Sequence, residues 1–362
     1  MSEGRLGCFV HWSKFEGRGT MQYDAGAIPS GAVTAIGGLP HRDAREAARF
    51  ALEHLEIPAI PALPRRSPAE SSIVQAMVGM QGITIGQYGS ISVDPGAIDP
   101  FAAVTTDLQH DAFNGFRTFL DEAAGHEGWV KWQFVGPITF GLALVRAGVP
   151  MSEAFESSVR CVRAHLEHLI AAVDAALPGC RQLVFVEESD LSELMQPGYP
   201  LAPDTAIDLV SGALAAIESS AIAGLHVCGL ADIPSQVATG PAVLSLPVRP
   251  EVLDSAGHLI RYMEGGGRIA WVRDGRGHAL RHIPANNLHA DKQPVEPTLS
   301  ARRVPQPPRA ESEPGRADLR EVKLASELES VGQRGTHRRA QYGANGDVVA
   351  DLGQAALHRD GD

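Results

Sequence analysis

The residues with the clearest chemical potential lie in Leu225-His226-Val227-Cys228-Gly229. Apolar residues from Ile222 onward make this the end of a β-strand, and strand side chains alternate, so His226 and Cys228 project to one side. An imidazole beside a thiolate suits Zn²⁺, which ordinarily takes three or four protein ligands. The spacing alone also accommodates a buried cysteine beside a hydrogen-bonded histidine. A second group is Glu187-Glu188, leaving the apolar run Leu183–Val186. One carboxylate should face inward and the other outward, so one could bind an ammonium group or share a metal, or the pair could simply begin an acidic loop. Gly136-Pro137-Ile138-Thr139 has proline in a first helical turn, whose exposed N–H groups can receive a carboxylate or phosphate or merely join strand to helix. In Ile36-Gly37-Gly38-Leu39-Pro40-His41 the glycines permit close backbone approach to a ligand that His41 could reach, although His41 also suits a solvated loop.

These four segments follow strand-like runs. Strands are expected at 32–36, 130–135, 183–187, 222–227, 242–246 and 268–272, separated by amphipathic stretches, the alternation of a parallel sheet crossed over by helices. The 82–93 stretch, GITIGQYGSISV, predicts a β-hairpin inserted after the first strand. Asp43 with Glu46 forms a capping box before one helix, and Phe155 to Leu177 carries a long apolar stripe stopped by Pro178-Gly179. Two further helices are expected at 204–219 and 250–263. The chain has no GxGxxG after its first strand and no GxxxxGK[ST], so an α/β (β/α)₈ TIM-type barrel is favoured over a doubly wound nucleotide-binding sheet.

The apolar content stops abruptly. Residues 273–362 contain no Phe, Trp or Cys, and their low apolar content predicts a low-complexity, disordered tail with one marginal helix at 318–331. The expected division is a poorly ordered extension at 1–20, a barrel at 21–272 carrying strands one to six, and the tail at 273–362. With strands seven and eight missing, that barrel is expected to be incomplete at its C-terminus. Rich in Arg, Ala, Gly, Pro and His, the tail has the composition of an out-of-frame reading of GC-rich coding sequence, or of a natural linker-like extension. The whole chain has 31 Lys+Arg against 43 Asp+Glu, a net charge of −12, which disfavours nucleic acid and anionic membrane surfaces as partners. Four widely spaced cysteines make no disulfide framework, and the opening residues do not read as a signal peptide, so a cytoplasmic location is expected.

In order, the segments resemble the cobalamin-independent methionine synthase family, especially its short single-barrel members, within the superfamily that includes uroporphyrinogen decarboxylase. IGGLPH (36–41) is similar to the family's IGS[FLW]P opening and FVGPITFGLAL (134–144) to its GPxT segment. FVEES (185–189) stands where the family has DEP, and LHVCG (225–229) matches its HxC zinc motif. The resemblance spans about 33–272. It implies zinc-dependent transfer of a methyl group from a methylated folate to a small-molecule thiol such as homocysteine. His226 and Cys228 would be zinc ligands, with Glu251 the nearest counterpart of a glutamate ligand. Glu187 would take the place of the Asp that receives the amino acid's ammonium group, with Glu188 beside it. Gly37 and Gly38 would meet the substrate with loop backbone. The chain departs from the pattern at Gly38, where the family has Ser, at Glu187-Glu188-Ser189, and after Cys228, which no further cysteine follows. The competing expectations are a catalytically inactive barrel acting as a binding module and a lyase of the uroporphyrinogen decarboxylase branch.

Overall fold

A computed structural model describes residues 25–86, 89–229 and 231–272, together with the backbone of residues 8–9, 339–342 and 348–351. The strands are β1 (Cys8–Phe9), β2 (Val33–Thr34), β3 (Ile83–Ile85), β4 (Ile91–Val93), β5 (Gly128–Val135), β6 (Cys180–Glu187), β7 (Ile222–His226), β8 (Val243–Pro247), β9 (Arg268–Val272), β10 (Arg339–Tyr342) and β11 (Val348–Asp351). The helices are α1 (Ala44–His54), α2 (Ser72–Met77), α3 (Asn114–Glu122), α4 (Pro137–Arg146), α5 (Met151–Ala176), α6 (Pro203–Glu218), α7 (Ile233–Ala238) and α8 (Ala256–Glu264).

Strands β5 to β9 form one parallel sheet in sequence order, with helices in every connection. The strands are buried on both faces, as helix-covered parallel sheets require. Val184, Val186, Leu225, Leu244 and Ile269 join the helices in the main core. The alternate residues Leu183, Phe185, Ile222, Val243 and Ala270 form a second cluster on the other face with Ala25, Ile28, Ala32 and Ile57. This two-sided core and the strand–helix alternation are compatible with a partial α/β barrel.

The sequence reading missed one strand-like segment, Ile57-Pro58-Ala59-Ile60-Pro61-Ala62. It runs parallel to β5 through Lys131 N–H to Pro58 C=O at 2.9 Å and Ile60 N–H to Lys131 C=O at 2.8 Å. On its other side Ile57 N–H donates to Val33 C=O and Ala62 N–H to Gly37 C=O, each at 3.0 Å. Pro58 and Pro61 have no N–H to give, so the ladder is sparse, and proline within an apolar run counts against a strand. The expected set of six parallel strands therefore becomes seven strand-like segments: 33–38, 57–62 and β5 to β9. The edge of β2 away from segment 57–62 is occupied: β1 pairs with it antiparallel, Cys8 opposite Thr34 and Phe9 opposite Val33, and lies beside β9.

The inserted hairpin is present as antiparallel β3 and β4, with Ile83 opposite Val93. Asp43 caps α1, its carboxylate accepting from Glu46 N–H at 2.9 Å. The single helix expected over 250–263 is instead a 3₁₀ segment, Pro250–Ser255, followed by α8, because Ser255 at φ −106°, ψ 16° departs from helical geometry. The expectations for 1–20 and 273–362, including a helix at 318–331, lie outside the described residues except where β1, β10 and β11 fall. The last two pair antiparallel as a hairpin.

Candidate active site

Adjacent parallel strands bring the motif residues to one level. Val135, Glu187, His226 and Ser245 are consecutive register partners across β5, β6, β7 and β8. Below them on the same face are Gln133 beside Phe185, then Lys131 beside Leu183. A narrow cavity is lined by Ile36, Lys131, Gln133, His226, Ser245 and Trp271, among others. A larger concavity lies elsewhere, on the outer helical surface around Phe101, Phe155 and Arg160.

His226 is buried, and its Nδ1 lies 2.9 Å from Ser245 Oγ. Its Nε2 lies 3.5 Å from Cys228 Sγ. Burial, and secondarily the Lys131 charge, lower the imidazole to about 3, so the ring is neutral at physiological pH and keeps a nitrogen lone pair. Cys228 is reachable by solvent, yet protein atoms crowd its sulfur; this crowding, and then the Glu187 carboxylate, raise the thiol above its ordinary range. Cys228 Sγ lies 3.8 Å from Glu187 Oε1. Burial also raises Glu187, opposed chiefly by Lys131.

The two glutamates part company. Glu187 is half-buried on the cavity side, its Oε2 accepting from Gln133 Nε2 at 2.7 Å. Glu188 is fully buried and turns to the start of α4, accepting from Ile138 N–H at 2.8 Å and from both Thr139 N–H and Thr139 Oγ1 at 2.7 Å. The anion receptor anticipated at Gly136–Thr139 is thus filled by the chain's own carboxylate. Burial pushes Glu188 up to about 7, against the pull of the Thr139 and Ile138 bonds. The expectation of Glu188 beside a substrate is not met: its carboxylate bonds only to the start of α4.

Gly37 has φ 140°, and a Cβ there would lie 3.3 Å from Gln133 Cδ, so the missing side chain lets the loop rest against Gln133. Gly38 is held to Ala62 by a parallel bridge. His41 packs on the Phe50 ring at 5.3 Å. Glu251 is exposed on the 3₁₀ segment and is not brought to His226 and Cys228. Among the described residues no group of three or more His, Cys, Asp or Glu side chains is arranged to hold a metal ion.

Sequence reasoning missed Lys131, Gln133 and Ser245. The signal was available: Lys131 and Gln133 stand two apart in the otherwise apolar run Trp129–Val135, and polar side chains at that period share the inward face. Among the described residues, no helix is long and apolar enough to cross a membrane. Compared with known proteins, the chain matches no family model and no curated sequence.

Proposed function

We propose that the chain is a methionine synthase-like (β/α)₈-type barrel, with seven strand-like segments among the described residues, that binds a small amino thiol of the homocysteine class at the ends of β6 and β7. The supporting observation is the meeting of His226, Cys228 and Glu187 around one polar strand-end cluster. His226 Nε2, with Nδ1 anchored on Ser245, and Cys228 Sγ are nitrogen and sulfur donors of the kind zinc prefers. A zinc ion held by them would supply Lewis acidity that lowers the pKa of a bound thiol.

The chain's own residues do the rest. Glu187 Oε1 receives the ligand's ammonium group, while Gln133 occupies the other carboxylate oxygen. Backbone at Gly37 and Gly38 borders the ligand. A reducing, cytoplasmic setting keeps Cys228 as a thiol available to metal. Two side-chain ligands are fewer than zinc ordinarily takes, so methyl transfer from a methylated folate is expected to be slight, and the protein acts chiefly as a thiol-binding barrel. The lyase reading has less support: the cavity lining contains one lysine and no arginine, little positive charge for a polycarboxylate.

Cobalt(II) in place of zinc tests the proposal, because thiolate ligation gives a charge-transfer absorption band. Adding homocysteine to the cobalt-loaded full chain should intensify that band, with saturation. A spectrum unchanged by homocysteine would overturn the reading.

A further inference from the structure

A continuous polar chain crosses the cavity beneath Glu187. Lys131, buried at 3% exposure, donates through Nζ to the Ile36 carbonyl and to Gln133 Oε1, the latter at 2.7 Å. Gln133 Nε2 then donates to Glu187 Oε2 at 2.7 Å. An ammonium group has donors only, so its bond to Gln133 must use the amide oxygen. The amide nitrogen is thereby turned toward Glu187. With Oε2 occupied, Oε1 is the carboxylate oxygen left facing Cys228, at 3.8 Å. The same lysine ties down the carbonyl just before Gly37, whose lack of a side chain lets the loop lie on Gln133.

We propose that Lys131 is a positioning residue: acting through Gln133, it orients Glu187 so that the strand-end cluster selects thiols bearing an α-ammonium group over those without one. This rests on the thiol-binding reading above. Without Lys131, Gln133 can rotate its amide and present oxygen to Glu187, which repels the carboxylate and leaves its orientation unset. Lys131 need not touch the ligand. Its effect should therefore disappear once Gln133 can no longer transmit it.

The test compares homocysteine with its des-amino analogue, 4-mercaptobutyrate, binding to the zinc-loaded full chain by calorimetry. Wild type should prefer homocysteine by about tenfold or more, the scale of one charge-assisted hydrogen bond. Lys131→Met and Gln133→Met, each confirmed as folded by thermal melting, should both bring that preference close to unity while 4-mercaptobutyrate binding changes less than about threefold. The double variant should lose no more than either single one, since coupled residues are non-additive. Lys131→Met retaining the preference would overturn the inference. So would loss of preference in Lys131→Met but not in Gln133→Met, because the lysine would then act by its charge alone. Wild type binding neither thiol would instead overturn the thiol-binding reading itself, and this inference with it.

Discussion

Glu187 and Glu188 are adjacent in sequence yet serve opposite faces of the sheet, Glu187 bonded to Gln133 and Glu188 to the first turn of α4. Strand alternation alone produces this division. Glu188 satisfies backbone N–H groups that a helix start otherwise leaves unpaired, and the positive end of the helix dipole favours a carboxylate there. Replacing it strands Ile138 N–H and both Thr139 donors in a buried site. Glu188→Ala is expected to cost about 2 to 4 kcal/mol of stability in urea unfolding. It should alter zinc binding little in protein that remains folded; unchanged stability would show that the cap contributes nothing.

Gly136 sits against the same carboxylate. A Cβ added there would collide with the Glu188 side chain, so Gly136→Ala must push the cap out of place. The expected loss is about 1 to 3 kcal/mol, the usual range for overpacking. In Gly136→Ala/Glu188→Ala the two losses should be less than additive, because the second change removes what the first strikes. Fully additive losses would mean the two residues act independently.

How far the sequence carries can be judged from particular residues. The sheet strands β5 to β9 were legible because helix-covered strands are apolar on both faces, so short β-branched runs stand out between amphipathic helices. Segment 57–62 was not, because its prolines remove the donors that make a strand recognisable. His226 and Cys228 were legible as a pair through their two-residue spacing, but their 3.5 Å approach depends on the turn of the chain beyond the end of β7. Their partners were harder. Ser245 is one of many serines, and its bond to His226 depends on the register between β7 and β8, which sequence spacing does not specify. Glu251 was placed by its nearness in sequence to a family position, but the 3₁₀ segment holds it in solvent.

His165 offers a pH test remote from the cavity. It is fully buried, its Nε2 at 3.2 Å from the Ala76 carbonyl and its Nδ1 at 2.8 Å from Thr106 Oγ1, an arrangement that satisfies a neutral ring. Burial lowers its pKa from 6.5 to about 4. Between those values the unfolded chain binds a proton that the folded chain refuses. The His165 contribution is therefore complete above about pH 6.5 and lost as pH falls toward about 4, by roughly 3 kcal/mol. His165→Gln should flatten the stability difference across this window relative to wild type. Parallel pH–stability curves for the two proteins would contradict the assignment.

Ser245 anchors the ring that presents Nε2. A hydrogen-bond partner of this kind fixes a ligating histidine's orientation, and its removal typically lowers metal affinity by about 10- to 100-fold. Ser245→Ala should weaken zinc binding by that factor in competition with a chromogenic chelator, and should cost the metal-free protein about 1 to 3 kcal/mol because the buried His226 Nδ1 loses its partner. Equal zinc affinity in variant and wild type would detach Ser245 from the site.

The most direct measurement is the zinc stoichiometry of the full chain by equilibrium dialysis, compared with His226→Ala and Cys228→Ala. The wild-type chain should bind close to one equivalent, weakly because the described residues supply only the His226 and Cys228 donors, and each variant should lose it. Zinc bound equally well by all three proteins, or by none of them, would contradict the assignment of His226 and Cys228 as its ligands.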